Sequence, residues 1–500
     1  MCSMCLCVSK MKRPVWILAY CIIGALPFSV SAQKRMTLQE TIELASDSSL
    51  QAFSSKNLYL SSYWEFRSFK AARLPSLSLE MTPVRYNRNF VSRYDSENDI
   101  DVYRQQQSLY SSGNLSIRQN LDLTGGTFFI DSELGYMKNL GSDYRQFSSV
   151  PVRIGYSQNL FGFNSFKWEK KIEPLKYGKA KKRLLYNLEN IAEQSTQYFF
   201  NLAMAQSRYD IAKENVLSGD TLLRIGQERY KIAAISQADL LTLELDMVNA
   251  QNSLQNAEID LKRAMFSFVS FLNLDKKMLV RLDLPGRPQN MAIDPELALQ
   301  YAKENNPDFL GYKQQILEAE REVDRTQKSS NFDADVYASI GFNRVASDFS
   351  GAYKNPLEQD IISVGIKIPL IDWGVRKGRA NMAKNNLNVT RISVQQNELS
   401  LEEDVLMTVN DFNVQQGLIR SAEEALQLAN LAYESTKQRF MIGKADINSL
   451  TLSLNRQKDA QNNYIYALRN YWMSYYKIRK MTLYDFEKKE SIKLKVKSEK

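Results

Sequence analysis

The sequence predicts a mainly α-helical chain with membrane β-strands, built from one unit written twice: strand, strand, long helix, turn, returning helix. Three observations carry that prediction. First, stretches recur at a fixed offset: Arg229-Tyr-Lys-Ile-Ala-Ala-Ile-Ser-Gln-Ala-Asp-Leu is answered 210 positions on by Arg439-Phe-Met-Ile-Gly-Lys-Ala-Asp-Ile-Asn-Ser-Leu, and Ala250-Gln251-Asn252 by Ala460-Gln461-Asn462. Second, apolar and polar residues alternate in runs of about 9 to 10, the length a tilted strand needs to cross a bilayer. Third, no proline interrupts the helical pattern from Gly374 to Met441, which at ~1.5 Å per residue makes a rod of roughly 100 Å. With 20 Gly and 12 Pro in 500 residues, turns are scarce and elements are long.

Residues 1–32 read as a secretory signal peptide whose start is Met11. Lys12 and Arg13 form its basic end, Val15 to Leu26 its apolar stretch, and Val30-Ser31-Ala32 its cleavage signal, leaving Gln33 first. The apolar run is too short for the ~20 residues of a membrane helix. Residues 33–272 form the first repeat. A helical stretch from Leu50 to Ala72 leads into Leu77, Leu79 and Met81, and a second strand carries Val152, Ile154, Tyr156 and Leu160. Upstream matches such as Ala45 with Ala302 run at an offset of 257, so the first copy holds 47 residues that the second lacks. The surplus falls in region 82–150. There Leu115, Ile117, Leu121 and Phe128, Ile130, Leu134, Tyr136 flank Gly125-Gly126, the pattern of an extra hairpin. It either brings the membrane share to six strands per chain or forms an external structure, and the sequence leaves both open.

The first long helix starts near Pro174, read as a first-turn proline, and runs to Ile232. Ser236 and Asp446 suit the N-caps of the returning helices. On those returns Ala250, Leu254, Ala257, Leu261, Ala264, Phe268 and Ala460, Tyr464, Ala467, Tyr471, Ile478 keep a heptad rhythm of small and large residues, as closely packed helix pairs require. Residues 273–307, with Pro285-Gly286, Pro288, Pro295 and Pro307, form a linker in which Asp294-Pro295 starts a short helix. The second repeat spans 308–484. There Val336, Ala338, Ile340, Phe342 and then Ile362, Val364, Ile366, Ile368, Leu370 mark its strands. Residues 485–500, rich in lysine, read as a basic flexible tail.

Chemistry is excluded more readily than it is found. The chain has no histidine, and all four cysteines (Cys2, Cys5, Cys7, Cys21) lie in the signal segment. Zinc sites, Ser-His-Asp arrangements and Cys-His pairs therefore have no residues to build them, and we expect no enzyme, no metal and no cofactor. The net charge of +9 falls to +6 when Lys10, Lys12 and Arg13 leave, and it is scattered, which argues against nucleic acid as a partner. Asp372-Trp373-Gly374 reads as a helix-start turn, since no phosphate-binding glycine loop accompanies it. Ser474-Tyr475-Tyr476-Lys477 has the Ser-x-x-Lys spacing of acylating enzymes but sits in a heptad-patterned helix without companion motifs.

Two strands per repeat cannot close a barrel, so a membrane barrel must be shared among chains. This order of elements resembles the outer membrane efflux protein family, with TolC-like architecture. The stretches that carry the resemblance are Gln158-Asn159-Leu160-Phe161, Pro369-Leu370-Ile371-Asp372-Trp373-Gly374 and Arg439-Phe440-Met441-Ile442-Gly443, and it covers residues 37 to 484. The resemblance implies a homotrimer with a twelve-stranded β-barrel in outer-membrane lipid above a periplasmic α-helical barrel. It implies a passive exit duct for efflux or type I secretion, driven by an inner-membrane transporter through a periplasmic adaptor protein. It implies that the tunnel closes at the helix turns. Asp239 falls on the family's aperture aspartate, with Ser449 its counterpart in the second copy, and Thr242 and Leu452 lie where another acid would stand, a departure from the two aspartates that some members carry in the second copy. The turns Ala233, Ala234, Ile235, Ser236 and Gly443, Lys444, Ala445, Asp446 fall where adaptors dock. For Asp239 an ordinary first-turn role, favoured by the helix dipole, stands beside the gate role. For the whole chain the alternative is a periplasmic coiled-coil adaptor, which would normally carry a single helical hairpin.

Overall fold

The computed structural model describes residues 34–141, 144–330 and 332–493; the expected signal segment and residues 494–500 of the expected tail lie outside them. In chain order the elements are β1 (Lys34–Met36), α1 (Leu38–Ser48), α2 (Leu50–Ala71), β2 (Ser76–Asp95), β3 (Ile100–Asn120), β4 (Thr127–Asn139), β5 (Tyr144–Asn159), α3 (Ser165–Lys231), α4 (Gln237–Phe271), β6 (Val280–Leu282), α5 (Pro295–Asn305), α6 (Pro307–Lys328), β7 (Asp333–Ala346), β8 (Leu357–Lys367), α7 (Val375–Met441), α8 (Ile447–Thr482), β9 (Tyr484–Asp485) and β10 (Glu490–Ser491).

The two long helices, α3 and α7, have 67 residues each, and the returns α4 and α8 have 35 and 36. Equal lengths at equal offsets are what a duplicated unit leaves behind. Side-chain oxygens stop the fraying of several first turns: Asn164 accepts from the Lys167 N–H at the start of α3 at 3.0 Å, and Asp294 and Asn306 cap α5 and α6 just before Pro295 and Pro307, while α7 starts from Gly374. Contrary to expectation, α3 begins at Ser165 and not near Pro174. Pro174 lies inside the helix on an exposed face, where one hydrogen bond is lost without a buried group being orphaned. The helices pack around Phe199, Phe200, Phe268, Phe412, Ile465 and Leu468, all fully buried. Here the small residues of the heptad rhythm do their part: Ala257, Ala460 and Ala467 are buried, so α4 and α8 approach the long helices closely.

The linker is not plain coil. β6 pairs in parallel with β1, and Gln206 of α3 brackets it, donating to the Val280 carbonyl at 2.7 Å and accepting from the Leu282 N–H at 3.1 Å. The expected flexible tail also begins inside the fold. Asp485 is buried, accepts from the Tyr475 hydroxyl at 2.8 Å and pairs with Arg479 at 2.8 Å, and β9 pairs with β10. A lysine-rich composition hid one aspartate whose partners sit on α8.

One antiparallel sheet holds the remaining strands in the order β2-β3-β4-β5-β7-β8. The extra hairpin is thus β3–β4, inserted between the two strands of the first repeat, and the sheet of one chain has six strands. Its turn is closed by Leu121 and Gly126 (N–H to O, 2.9 Å), with Gly125 at φ +77° where a side chain would be strained. Pairing fixes which side chains share a face. Leu77, Ile117, Ile130, Ile154 and Ile340 fall on one face, continued by Ile362, Val364 and Ile366 of β8. The other face carries Arg118, Asp131, Arg153 and Ser339, with Asp131 and Arg153 paired at 3.1 Å. An apolar outside and a polar inside are the alternation of a membrane barrel wall. The segment between β7 and β8 folds back along β5: the Ser149 hydroxyl donates to the Ala352 carbonyl, and Phe349 meets Phe147, which in turn meets Tyr136. From Phe128 to Tyr136 the strand covers about 26 Å, which at a tilt of ~40° spans about 20 Å of the ~25 Å apolar band of such walls. Among the described residues no helix is long and apolar enough to cross a membrane.

Candidate aperture at the helix tips

Both long helices end in the same geometry. The Ala233 N–H bonds the Tyr230 carbonyl at 2.9 Å and the Ala234 N–H the Arg229 carbonyl at 2.8 Å; Gly443 and Lys444 make the equivalent bonds to Phe440 and Arg439 at 3.0 and 2.8 Å. A left-handed residue makes this possible: φ is +53° at Ala233 and +79° at Gly443. Glycine adopts that conformation freely, whereas alanine pays roughly 1 kcal/mol or more in steric strain.

The returning helices then start on side-chain caps. Ser236 and Asp239 form a reciprocal box, the serine hydroxyl accepting from the Asp239 N–H at 3.2 Å and the carboxylate accepting from the Ser236 N–H at 3.1 Å and its hydroxyl at 2.8 Å. In the second copy Asp446 is the cap, accepting from the Ser449 N–H at 2.6 Å. Hydrogen bonding from Ser449 holds the Asp446 carboxyl below the usual carboxylate range. Thr242 turns its hydroxyl onto the Ala238 carbonyl at 2.9 Å. Asp239 is therefore a working first-turn acid as well as an aperture candidate. Among the described residues no hydrogen bond joins it to Thr242 or Ser449.

Arg229 brings the two tips together. Its guanidinium donates to the Phe440 and Met441 carbonyls, both at 2.9 Å, and lies 5.3 Å from the centre of the Phe440 ring. It thus supplies a cation to the negative end of α7. Beneath it, Leu243, Tyr433, Phe440, Ile447 and Leu450 form a separate apolar cluster. Gly226 makes room for it, since a Cβ there would lie 2.3 Å from Leu243. Farther along, Thr451 of α8 donates to Asp246 of α4 at 3.2 Å. Burial pulls the Lys458 ammonium down, and the Asp246 charge works against that shift. Sequence reasoning named the turns but missed Arg229 and Asp246. The signal for Arg229 was present, since arginine opens both copies of the repeated stretch.

Residues 298–482 match the family model described as outer membrane efflux protein. No curated protein matches the chain. Several solved structures share its fold. The outer-membrane channel OprN aligns at 13% identity and a TM-score of 0.64, covering 89% of each chain. The CmeC outer membrane channel of Campylobacter jejuni aligns at 13% and 0.64, covering 89% of this chain and 85% of its own. The open state of the MtrE outer membrane channel of Neisseria gonorrhoeae aligns at 12% and 0.58, covering 89% and 88%. The fold is that of TolC-like channels.

Proposed function

We propose that this chain, whose residues 298–482 form an outer membrane efflux protein domain, is one of three identical subunits of an outer-membrane duct. The observation that carries the reading is the sheet. Among the described residues it has an apolar face that spans most of the apolar band of a barrel wall, two unpaired edges at β2 and β8, and direct continuity with the long helices α3 and α7. Unpaired backbone groups are too costly in lipid, so the edges must be closed by further copies. A periplasmic adaptor would have no use for such a face. The duct has no energy source of its own; an inner-membrane transporter drives it, and a periplasmic adaptor grips the turns at 233–236 and 443–446.

Cell fractionation followed by mass measurement in detergent tests the reading: the protein is expected in outer membranes as three copies. A soluble periplasmic monomer would overturn it. For the tips, Gly443→Asp combined with Lys444→Glu should abolish export at unchanged trimer abundance, because bulk and negative charge enter the docking turn. Normal export by that variant would move the docking surface elsewhere. Asp239, with Thr242 and Ser449 beside it in the repeat pattern, lines the aperture in this reading.

A further inference from the structure

The β3–β4 hairpin is part of the wall and not an ornament on it. β3 pairs with β4 from Ser108↔Asn139 down to Asn120↔Thr127, and β4 pairs with β5 over its whole length apart from one bulge near Asp131. Side chains lock it on the polar face. Phe129 of β4 lies directly over Gly155 of β5, where a Cβ would come within 2.2 Å of its ring, and stacks on Tyr337 of β7 at 5.5 Å. At the base, Asp122 in the hairpin turn meets the Arg73 guanidinium, and Asn164, the cap of α3, donates to the Asp122 carbonyl at 3.0 Å. The turn is therefore tied to the ends of both α2 and α3.

Girth gives the hairpin a purpose. Strands spaced ~4.8 Å apart and tilted ~40° occupy about 6.3 Å of circumference each, so six take about 38 Å and four only about 25 Å. Four long helices packed 8–10 Å apart take about 32–40 Å. With six strands the membrane wall and the helical wall of one copy have the same width. With four strands at this tilt the membrane wall would be about two-thirds as wide, and only a larger strand tilt could make up the difference.

We propose that three copies close an eighteen-stranded barrel, β8 of each pairing with β2 of the next, and that the β3–β4 hairpin widens the exit to the bore of the helical tunnel. The edges are suited to each other. Leu77, Leu79 and Met81 of β2 and Ile362, Val364 and Ile366 of β8 are largely exposed in the single chain, on the same apolar face of the sheet. Joined edge to edge they continue one lipid-facing band around the barrel. The backbone radius becomes about 18 Å, against about 12 Å for twelve strands. Such an exit admits bulky polymers and small folded polypeptides, and the segment between β7 and β8 leaves it free by folding along the apolar side.

This inference rests on the trimeric channel reading, and two measurements separate the two. Electron cryomicroscopy of the detergent-purified protein should count eighteen strands in a three-copy particle. A three-copy particle with twelve strands and the hairpin outside would overturn the wide barrel while leaving the channel reading intact. A particle with any other number of copies would overturn the trimer. In planar bilayers, polyethylene glycols added from the extracellular side should enter the wild-type mouth up to a radius about one and a half times that admitted by a variant lacking residues 88–140, in which β2 runs directly into β5. Equal cut-offs would overturn the proposal, and the strand count decides it if that variant does not assemble.

Discussion

The two repeats share a plan and differ in how it is filled, and the difference tracks what each position must touch. Gly155 and Gly365 stand 210 residues apart at the same place in the unit. Gly155 is crowded, with the Phe129 ring where its side chain would be, whereas Gly365 has nothing within 4 Å. Only the first copy had to accommodate an inserted hairpin. Val269 of α4 and Arg479 of α8 are likewise equivalent, and both are enclosed, but one is apolar and the other is the centre of an ion network. Duplication copied the backbone; the side chains then adapted to unlike neighbours.

The largest expected effect follows from that second pair. Arg479 bonds Glu189 of α3 through two nitrogens, each at 3.0 Å, and Asp485 at 2.8 Å, tying the second repeat to the first. Burial pushes the Glu189 carboxyl up, against the pull of Arg479. Arg479→Val, the residue of the first copy, should cost about 3–5 kcal/mol in thermal unfolding of the solubilised protein, because two carboxylates lose their cation. Adding Glu189→Leu should return part of that loss. Asp485 sets the pH dependence. Burial pushes its carboxyl up, but Arg479 and the Lys488 and Glu487 N–H groups outweigh it and the net shift is downward. A lowered carboxylate stabilises the fold above its ordinary value of 3.8 and ceases to do so as pH falls through the folded value. Acid unfolding should therefore steepen below about pH 4, and less so in Asp485→Asn.

The glycine pair comes next. Gly155→Ala forces the Phe129 ring out of its place and should destabilise the sheet by about 1–3 kcal/mol, read as a lower temperature of trimer dissociation. Gly365→Ala meets open space and should be neutral or slightly favourable. Equal effects at both sites would mean that β4 does not cover β5 in the membrane.

A smaller contrast separates Arg229 from its counterpart Arg439. Arg229 holds two carbonyls of the facing tip, while Arg439, among the described residues, donates to the Lys444 carbonyl of its own turn at 3.4 Å. Arg229→Ala should raise hydrogen exchange at 439–446 by roughly five- to tenfold, about 1–1.4 kcal/mol of lost charge-assisted bonding. Arg439→Ala should change its own turn far less. Matching effects would indicate that Arg439 finds equivalent carbonyls on a neighbouring copy.

How much of this was legible depended on whether one chain's own pattern decided the structure. The long helices, the caps of the returning helices at Ser236 and Asp446, and the strand around Ile340 were readable because 3.6- and two-residue periods and cap residues report local geometry directly. The upper parts of β2 and β3 were not. From Arg85 to Asp95 pairing with Ile100 to Tyr110, both faces are polar or mixed, so no alternation separates strand from loop. The buried Asp485 was hidden for the opposite reason: its partners Tyr475 and Arg479 lie on α8, and the lysines that follow dominate the composition. At the tips, sequence located the turns and repeated an arginine at the start of each, but the clasp by Arg229 joins residues 211 and 212 positions apart, a pairing that only the fold supplies.

The smallest effect on stability carries the most about the pore. Each returning helix starts with one acid, but at different places: Asp239 three residues into α4 in the first copy, Asp446 at the cap of α8 in the second. Asp446 sits at the cap itself and accepts from the Ser449 N–H, whereas Asp239 lies three residues past its cap, where one carboxylate oxygen takes both the N–H and the hydroxyl of Ser236. In a threefold duct, Asp239 would place three carboxylates at equal height around the axis, where like charges repel one another and attract cations. Asp239→Asn keeps the shape and removes three charges. It should cost only about 0.3–1 kcal/mol per helix start, yet in planar bilayers it should weaken cation selectivity and block by trivalent cations from the periplasmic side. Asp446→Asn removes as many charges from the partner tips and should leave both properties nearly unchanged. If the two variants behave alike, the acids act only as helix caps, and the aperture is set by the apolar tip residues beneath Arg229.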